Sequence, residues 1–258
     1  MATIHPTAIV DPSAELAPGV SVGPYAIIGA EVVIGEGTRI APHAVVLGPT
    51  RIGRDNRVFQ FASVGDVPQD KKYAGERTFL EIGDRNVFRE CCTVSRGTVT
   101  GASVTRIGSD NLFMAYTHVG HDCVVGNHCI LANYATLAGH VEIDDHVILG
   151  GYAGVHQFCK IGAHAFLANN SAATRDVPPF VMAAGAPAEP KGINSEGLRR
   201  RGFDAAQLAN IKSAYKVLYR EGLKLGEATE ELKRRAAEQP EIAPLVAFLP
   251  RVTRSLIR

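Results

Sequence analysis

Histidines crowd into one part of this chain. Seven of its nine histidines fall between positions 118 and 164, and His121 is followed directly by Asp122. An imidazole has an unperturbed pKa of about 6.5, so it can accept a hydroxyl proton at neutral pH. A carboxylate beside it would fix the tautomer of the ring and stabilise the imidazolium. His121 and Asp122 are therefore predicted to form a base and its partner, provided that a backbone corner turns both side chains to the same side.

Three interpretations of these histidines remain open on residue chemistry alone. Polar rungs on an outer face are expected for His128, His146 and His164. Three ligands of a catalytic zinc ion could be supplied by His118, His121 and His140. Alternatively, one histidine could act as a general base among substrate-binding neighbours. The residue types do not separate the last two interpretations.

A second polar cluster lies near the C-terminus. It is the run Asn194-Ser195-Glu196-Gly197-Leu198-Arg199-Arg200-Arg201-Gly202-Phe203. Consecutive arginines offer fork-shaped donors that match phosphate oxygens. A bare arginine run is usually only a solvated basic patch. This one opens an appended segment beside the repeats described next, where a ligand cleft could form, so phosphate binding is a candidate role.

A six-residue repeat must position these residues. From Ile4 to Leu167 an aliphatic or aromatic anchor recurs at almost every sixth position, often followed by glycine as in Ile28-Gly29. This period fits neither a helix nor an ordinary amphipathic strand, and it indicates a repeat architecture. One hexad suits one flat side of a triangular coil, and three sides make a turn of about 18 residues that pairs with its neighbours like parallel strands. The sequence predicts a mainly β fold, a parallel β-helix.

Two segments interrupt the repeat. Residues 65–81 lack its chemistry but span three hexads, whereas residues 96–106 shift its phase by one residue. Loops that leave a rigid solenoid commonly form binding surfaces.

The tail has helical signals instead of hexads. Asp204 and Gln207 form a plausible capping box, and further helices are predicted near 227–238 and 241–248. We therefore divide the chain into a β-helix, residues 1–190, and a C-terminal α-helical domain, residues 191–258.

Composition limits the partners of the protein. The net charge is +1 and 21% of the residues are charged, so the basic excess typical of nucleic-acid binding is missing. No apolar stretch approaches the ~18 residues of a membrane helix, and the N-terminus lacks signal-peptide features. Five cysteines without CxxC spacing are expected to be free, mostly buried thiols. We expect a cytoplasmic protein with no stable membrane insertion and no nucleic-acid partner.

The motifs taken together resemble the bacterial UDP-N-acetylglucosamine O-acyltransferases that start lipid A synthesis, within the hexapeptide-repeat acyltransferase superfamily. The hexads alone mark only the superfamily. The specific motifs are Phe61-Ala62-Ser63, Gln69-Asp70-Lys71-Lys72-Tyr73-Ala74-Gly75-Glu76, Arg96-Gly97-Thr98, His118-Val119-Gly120-His121-Asp122, Leu137-Ala138-Gly139-His140, Val155-His156-Gln157-Phe158 and Glu196-Gly197-Leu198-Arg199-Arg200-Arg201-Gly202-Phe203. The resemblance implies a left-handed β-helix, a homotrimer with active sites between subunits, and neither a cofactor nor a metal.

The resemblance also implies a reaction. Such enzymes move an R-3-hydroxyacyl chain from acyl carrier protein to the 3-hydroxyl of UDP-N-acetylglucosamine. His121 would be the general base, Asp122 its partner, and the Gly139 N–H a donor to the thioester oxyanion. The positions expected around the sugar, the phosphates and the acyl chain are Gln69, Asp70, Lys72, His118, His140, His156 and Gln157. Those expected at the uridine diphosphate end are Asn194, Glu196, Arg200 and Arg201.

Two positions depart from the family pattern. Ser95 replaces the histidine of the family's Thr-Ile-His-Arg-Gly-Thr motif, and we hypothesise that the acceptor preference extends to a sugar with a 3-amino group. Asn169 occupies the ruler position, where glycine admits longer acyl chains and bulkier residues shorten the groove. An amide facing a methyl terminus is unfavourable unless it is hydrogen-bonded, and we predict a preference for chains of about ten to twelve carbons.

Three alternatives stand beside this assignment. The related N-acyltransferase that acts later in the same pathway carries an additional N-terminal domain, for which hexads that start at Ile4 are expected to leave no room. A γ-type carbonic anhydrase-like zinc enzyme would contain stoichiometric zinc. A purely structural solenoid would not need the 69–76 motif, and His121→Ala would then change no activity.

Overall fold

The computed structural model describes all 258 residues as a stack of short strands followed by helices. The strands are β1 Thr3–Ile4, β2 Ile9–Val10, β3 Glu15–Leu16, β4 Ser21–Val22, β5 Ile27–Ile28, β6 Val32–Ile34, β7 Arg39–Ile40, β8 Val45–Val46, β9 Thr50–Ile52, β10 Arg57–Val58, β11 Ser63–Asp66, β12 Phe79–Ile82, β13 Val87–Phe88, β14 Thr93–Ser95, β15 Val104–Ile107, β16 Leu112–Phe113, β17 His118–Val119, β18 Val124–Val125, β19 Ile130–Leu131, β20 Thr136–Leu137, β21 Glu142–Ile143, β22 Ile148–Leu149, β23 Gly154–Val155, β24 Lys160–Ile161, β25 Phe166–Leu167, β26 Ala172–Ala173, β27 Val181–Ala184 and β28 Glu189–Ile193. The helices are α1 Ser195–Arg200, α2 Ala205–Tyr219, α3 Leu225–Ala236 and α4 Ala243–Phe248, with 3₁₀ turns at Pro240–Ile242 and Leu249–Arg251.

Every third strand pairs in parallel, and the three resulting sheets form the sides of a triangular prism. Sheet A, which begins with β1, has 11 strands; sheet B, which begins with β2, has nine; and sheet C, which begins with β3, has eight. Consecutive turns are 18 residues apart through most of the chain, as for Asn127 and Asp145. The arrangement is the coil that the hexads predict.

The hexad anchors form the core because alternate residues of a strand face opposite sides of a sheet. Val119, Leu137 and Val155, which are stacked anchors of sheet B, are at most 3% exposed. The residue before each anchor faces outward, and this is the position of His118. By contrast, Ile4 in the first turn is 46% exposed because no turn lies below it to cover it.

The corners of the prism use a backbone conformation that the sequence did not reveal. The third residue after most anchors has a positive φ, for example 58° at Asp122, 62° at His140 and 66° at Phe158. This conformation is uncommon outside glycine. It is fixed here by hydrogen bonds between turns, such as the one from the His140 N–H to the carbonyl of His121 at 2.9 Å. Each corner therefore presents a column of side chains, one from each turn.

Two loops leave the prism where the sequence breaks its repeat. Residues 67–78 separate β11 from β12, and residues 96–103 separate β14 from β15. Arg96 is buried between them, where it donates to the Gly65 carbonyl at 3.2 Å and to the Tyr73 hydroxyl at 3.3 Å. The two loops are therefore held together by one side chain.

The C-terminal segment folds against the end of the prism. The capping box of Asp204 and Gln207 is present at the start of α2, and α3 and α4 lie close to the two further helices predicted from the sequence. The short helix α1 was not predicted, and the repeat continues past Leu167 into β26. The expected division at residue 190 falls inside β28, which pairs antiparallel with β27, so the two-domain division stays a prediction.

All five cysteines are free thiols and four of them are buried, as predicted. None of the helices combines the length and the apolar character needed to cross a bilayer.

Candidate active site

The corner between sheets B and C, called the B–C corner below, collects most of the residues expected to carry chemistry. His121 and Asp122 follow β17, Gly139 and His140 follow β20 one turn later, and Gln157 follows β23 one turn beyond that. Because the turns stack in register, residues far apart in sequence become neighbours in one column. The first condition for a site, proximity of the predicted groups, is met here.

His121 and Asp122 contact each other directly, because the positive φ of Asp122 turns both side chains to the same side. The Nδ1 of His121 lies 2.9 Å from Oδ2 of Asp122. An ionised carboxylate only accepts hydrogen bonds, so Nδ1 carries the proton and Nε2 of the neutral ring is left as a free base. The side chain of His121 is 16% exposed and that of Asp122 is 1% exposed. A buried carboxylate thus orients a base that substrate can reach.

The carboxylate of Asp122 is enclosed by the loop 96–103. It accepts hydrogen bonds from the Thr98 N–H at 3.0 and 3.1 Å, the Thr98 hydroxyl at 2.6 Å and the Ala102 N–H at 3.1 Å. Burial opposes its ionisation, but the hydrogen bonds from Thr98 and His121 outweigh burial and hold the pKa of Asp122 below its usual value. Asp122 is therefore ionised at neutral pH.

Gly139 lies against the imidazole of His121. A Cβ atom at this position would fall 2.6 Å from both Nε2 and Cε1 of His121, so only glycine leaves room for the ring in this place. The Gly139 N–H finds no acceptor within the chain. An unpaired donor beside a free base has the composition of an oxyanion site.

At five equivalent positions of the other two corners the N–H group is capped, in an arrangement called the corner ladder below. In each case the backbone N–H of the residue two positions after an anchor donates to the side chain at the equivalent position one turn further along, at 2.7–2.9 Å. These pairs are Arg54 with Asp84, Asp84 with Ser109, Ser109 with Asn127, Asn127 with Asp145, and Gly151 with Asn169. At the B–C corner the residue one turn above Gly139 is Gln157, whose side chain makes no such bond. The donor stays free because the ladder is incomplete there.

Two more histidines flank the base. The His140 ring meets the His121 ring edge-on, with centroids 5.0 Å apart, and stacks on Phe158 at 4.5 Å. Burial lowers the pKa of His140, although Asp122 acts in the opposite direction. His118 contacts the Thr93 hydroxyl through Nδ1 at 2.7 Å, and burial lowers the pKa of His118 too, assisted by the nearby His121. Both rings are therefore neutral at pH 7.

The side chains that are close enough together to hold a zinc ion are not the three that were predicted. The side chains whose ligand atoms lie within 4.8 Å of one another are His121, Asp122 and His140, so Asp122 takes the place expected for His118. Both oxygens of Asp122 already accept from Thr98 or Ala102. These contacts suit an orienting carboxylate better than a metal ligand.

The loop 67–78 contains three expected binding residues, and one of them, Asp70, lies near this corner. Asp70 is near enough to act on the pKa of His140, and it accepts from the Lys72 N–H at 3.0 Å. The side chains of Gln69 and Lys72 are exposed. Ser95 is buried at 4% exposure at the end of β14, two residues after the Thr93 that contacts His118.

The expected uridine diphosphate residues lie at another corner. Asn194 caps α1 and donates to the His164 carbonyl at 3.0 Å. A guanidinium nitrogen of Arg201 lies 3.5 Å from Nδ1 of the His164 ring. On the exposed side of α1, Glu196 pairs with Arg200 at 3.0 Å. The contacts of Asn194 and Arg201 with His164 bring α1 to the corner between sheets C and A, called the C–A corner below. Sheet C separates this corner from the B–C corner within one chain.

His128, His146 and His164 form a stacked column at that corner. Their ring centroids are 4.8 and 4.7 Å apart. At the end of this column His164 also packs between Phe180 and Phe203, so it is less exposed than His128. Burial lowers the pKa of His164 to about 4.

The expected ruler residue lies at the corner between sheets A and B, called the A–B corner below. Asn169 follows β25 and is exposed, and its side chain accepts from the Gly151 N–H at 2.9 Å. The side-chain amide of Asn169 is therefore hydrogen-bonded, which reduces the cost of placing an amide near an acyl chain. His156 is also exposed and lies beside Gln157 near the B–C corner, with its Nδ1 3.2 Å from the Gln157 carbonyl.

Sequence reasoning missed the residues that enclose Asp122. The Arg96-Gly97-Thr98 motif and the phase shift at 96–106 were visible signals, but neither shows that the loop folds back by one turn onto a carboxylate. Ala102 and Thr105, whose hydroxyl accepts from the Asp122 N–H at 2.8 Å, carry no recognisable motif.

Two family models match parts of the chain. The model described as "Udp N-acetylglucosamine O-acyltransferase; Domain 2" matches residues 176–257. The model described as "Bacterial transferase hexapeptide (six repeats)" matches residues 105–139. The first covers the C-terminal helices and the second covers the turns that carry His121 and Gly139.

Relatives resemble the chain over its whole length. The acyl-[acyl-carrier-protein]–UDP-N-acetylglucosamine O-acyltransferase of Thiobacillus denitrificans is 57% identical over 258 residues, covering 100% of both chains. Solved UDP-N-acetylglucosamine acyltransferase structures include that of Francisella novicida, with a TM-score of 0.97, 44% identity and coverage of 99% and 94%. The enzyme structure from Acinetobacter baumannii gives a TM-score of 0.96, 49% identity and coverage of 99% of each chain. These matches confirm the left-handed parallel β-helix with C-terminal helices.

Proposed function

The chain belongs to the UDP-N-acetylglucosamine O-acyltransferase family, and from this premise we propose how its residues carry out the reaction. The protein is an enzyme of lipid A biosynthesis that transfers an acyl chain from acyl carrier protein to UDP-N-acetylglucosamine. We assign the chemistry to the B–C corner. The observation that carries the assignment is the free Nε2 of His121 between a buried Asp122 and the unpaired Gly139 N–H.

In the proposed step, Nε2 of His121 removes the proton from the 3-hydroxyl of the sugar. The sugar oxygen then bonds to the thioester carbonyl carbon, whose oxygen becomes negatively charged and accepts from the Gly139 N–H. One such donor typically contributes about 3 kcal/mol to the lowering of the barrier. The C–S bond breaks as the carbonyl re-forms, and the imidazolium returns its proton to the departing thiolate. Asp122 stabilises the imidazolium in between.

We propose that neighbouring residues hold the substrates. His118 and His140 are neutral polar groups beside the base, and Gln69 and Lys72 belong to the loop whose Asp70 lies near His140. His156 and Gln157 lie one turn further along and extend the column towards the acyl chain. This arrangement gives the loop 67–78 a binding function, in addition to its contact with Arg96.

We further propose that the active enzyme is a homotrimer. Asn194, Glu196, Arg200 and Arg201 lie at the C–A corner, Asn169 lies at the A–B corner, and the base lies at the B–C corner. One substrate cannot touch all three corners of one prism. A cleft between two copies brings different corners together, and three flat-sided copies around an axis make three such clefts. A cytoplasmic location, where acyl carrier protein is found, completes the proposal.

The base assignment is tested by replacing His121 with alanine and measuring acyl transfer from 3-hydroxyacyl carrier protein to UDP-N-acetylglucosamine. We expect kcat to fall by about 10²–10⁴-fold, the range of general-base catalysis. His128→Ala removes an exposed ring from a different corner and serves as the matched control. Activity of His121→Ala within tenfold of the wild type would refute the assignment, provided that His128→Ala is also active.

The trimer is tested separately by mixing two inactive variants, His121→Ala and Arg201→Ala. If the two residues meet across subunits, mixed trimers regain part of the activity. If both residues serve one site within a single chain, the mixture stays inactive. Sedimentation equilibrium of the wild type gives the mass of the assembly independently.

A further inference from the structure

The loop 96–103 has a role beyond filling a break in the repeat. It places four donor contacts on the carboxylate of Asp122, from the Thr98 N–H, the Thr98 hydroxyl and the Ala102 N–H. The shortest is the Thr98 hydroxyl to Oδ2 at 2.6 Å. That oxygen is also the one that accepts from Nδ1 of His121 at 2.9 Å.

The loop is shaped for this contact. A Cβ atom on Gly101 would lie 2.5 Å from the Asp122 carboxyl group and 2.7 Å from Cε1 of His140. A Cβ on Gly97 would lie 2.2 Å from the Val104 nitrogen. Both glycines therefore let the backbone close around a carboxylate that is only 1% exposed.

We propose that Thr98 is a positioning residue of the acyl transfer, which fixes Oδ2 of Asp122 and thereby the ring of His121. Its hydroxyl donates to Oδ2, so its own oxygen is free to accept from Thr100 at 3.0 Å. The hydroxyl shares the negative charge of Oδ2 with His121. The proposal rests on the assignment of His121 as the base.

The test compares Thr98→Val, which keeps the shape but removes the hydroxyl, with Thr98→Ser, which keeps the hydroxyl. A hydrogen bond to a charged group is lost in the first variant, and we expect kcat to fall about ten- to thirtyfold with KM within about twofold. Thr98→Ser should stay within about threefold of the wild type. Thr229→Val, in α3, is a control for the same substitution away from the site.

The pH profile separates positioning from a merely structural role. Without the hydroxyl, Oδ2 offers its full charge to His121, so protonation of the ring becomes easier. The acid limb of kcat/KM should then move to higher pH in Thr98→Val and stay in place in Thr98→Ser. Asp122, His118 and His140 are the titratable groups that face His121. Of these, only Asp122 loses a hydrogen bond in Thr98→Val, and that bond helps to hold the pKa of Asp122 low.

The outcomes are distinct. If His121→Ala is inactive while Thr98→Val keeps wild-type kcat and acid limb, the positioning role is wrong and the base stands. If Thr98→Val loses activity with an unmoved acid limb and a lowered melting temperature, the role is structural and the proposal is overturned. If His121→Ala keeps its activity, the proposed function fails first.

Discussion

Gly139→Ala gives a severe test of the site geometry. The added Cβ would lie 2.6 Å from Nε2 and Cε1 of His121, whereas ordinary contacts begin near 3.4 Å. The backbone of the coil is fixed by hydrogen bonds to the turns on both sides, so the imidazole must retreat by about 1 Å. A misplacement of that size at a reacting group costs on the order of 10²-fold. We therefore expect kcat/KM to fall about 100-fold, which is roughly 2.7 kcal/mol.

The measurement is the initial rate of acyl transfer over a range of UDP-N-acetylglucosamine concentrations. The melting temperature should stay within about 2 °C of the wild type, because the clash is relieved by one side chain at the surface. Gly226→Ala is the matched control, since a Cβ at Gly226 meets nothing within 4 Å. A kcat/KM of Gly139→Ala within threefold of the wild type would show that the His121 ring does not act from its observed position.

Four other outcomes are expected. Asn169→Gly should lengthen the preferred acyl chain in assays with carrier proteins loaded with different chain lengths, whereas Asn169→Asp keeps the acceptor for Gly151 and should leave the selectivity unchanged. Ser95→His should lower turnover of the 3-amino sugar relative to UDP-N-acetylglucosamine, and equal ratios in both enzymes would refute the hypothesis on Ser95. Folding lowers the pKa of His164 from 6.5 to about 4, so the unfolded state binds the proton more tightly. The free energy of unfolding should therefore fall by up to ~3 kcal/mol as the pH drops from 6.5 towards 4, and urea titrations of His164→Gln should show a smaller loss. Arg251→Gln removes contacts of 3.0 Å to Asp144 and should lower the unfolding free energy by about 1 kcal/mol, measured in urea.

The sequence predicted the coil because the physics of a hexad is local. An anchor such as Val119 must be buried, its neighbour must be small, and only a stacked triangular turn satisfies both at a period of six. The same regularity predicted that His121 and His140 lie on adjacent turns. The capping box of Asp204 and Gln207 was equally predictable, since it depends on residues three positions apart.

The environment of Asp122 could not be predicted in this way. Its partners Thr98 and Ala102 lie in a loop whose path is fixed by long-range contacts, including those of the buried Arg96. The corner conformation was also missed, since a positive φ at residues such as His140 and Phe158 runs against their intrinsic preference and is imposed by stacking. The separation of the expected binding residues over three corners follows only from counting turns in the folded coil.

The incomplete corner ladder has a consequence for how such an enzyme can change. The side chains of Asn127 and Asn169 cap the amide one turn below, whereas that of Gln157 leaves the amide of Gly139 open. The side chain one turn above a corner amide therefore decides whether that amide is capped or free to meet a substrate. On this scaffold a backbone donor can be exposed or covered by a change in one corner side chain, because the buried anchors that hold the coil together are not involved.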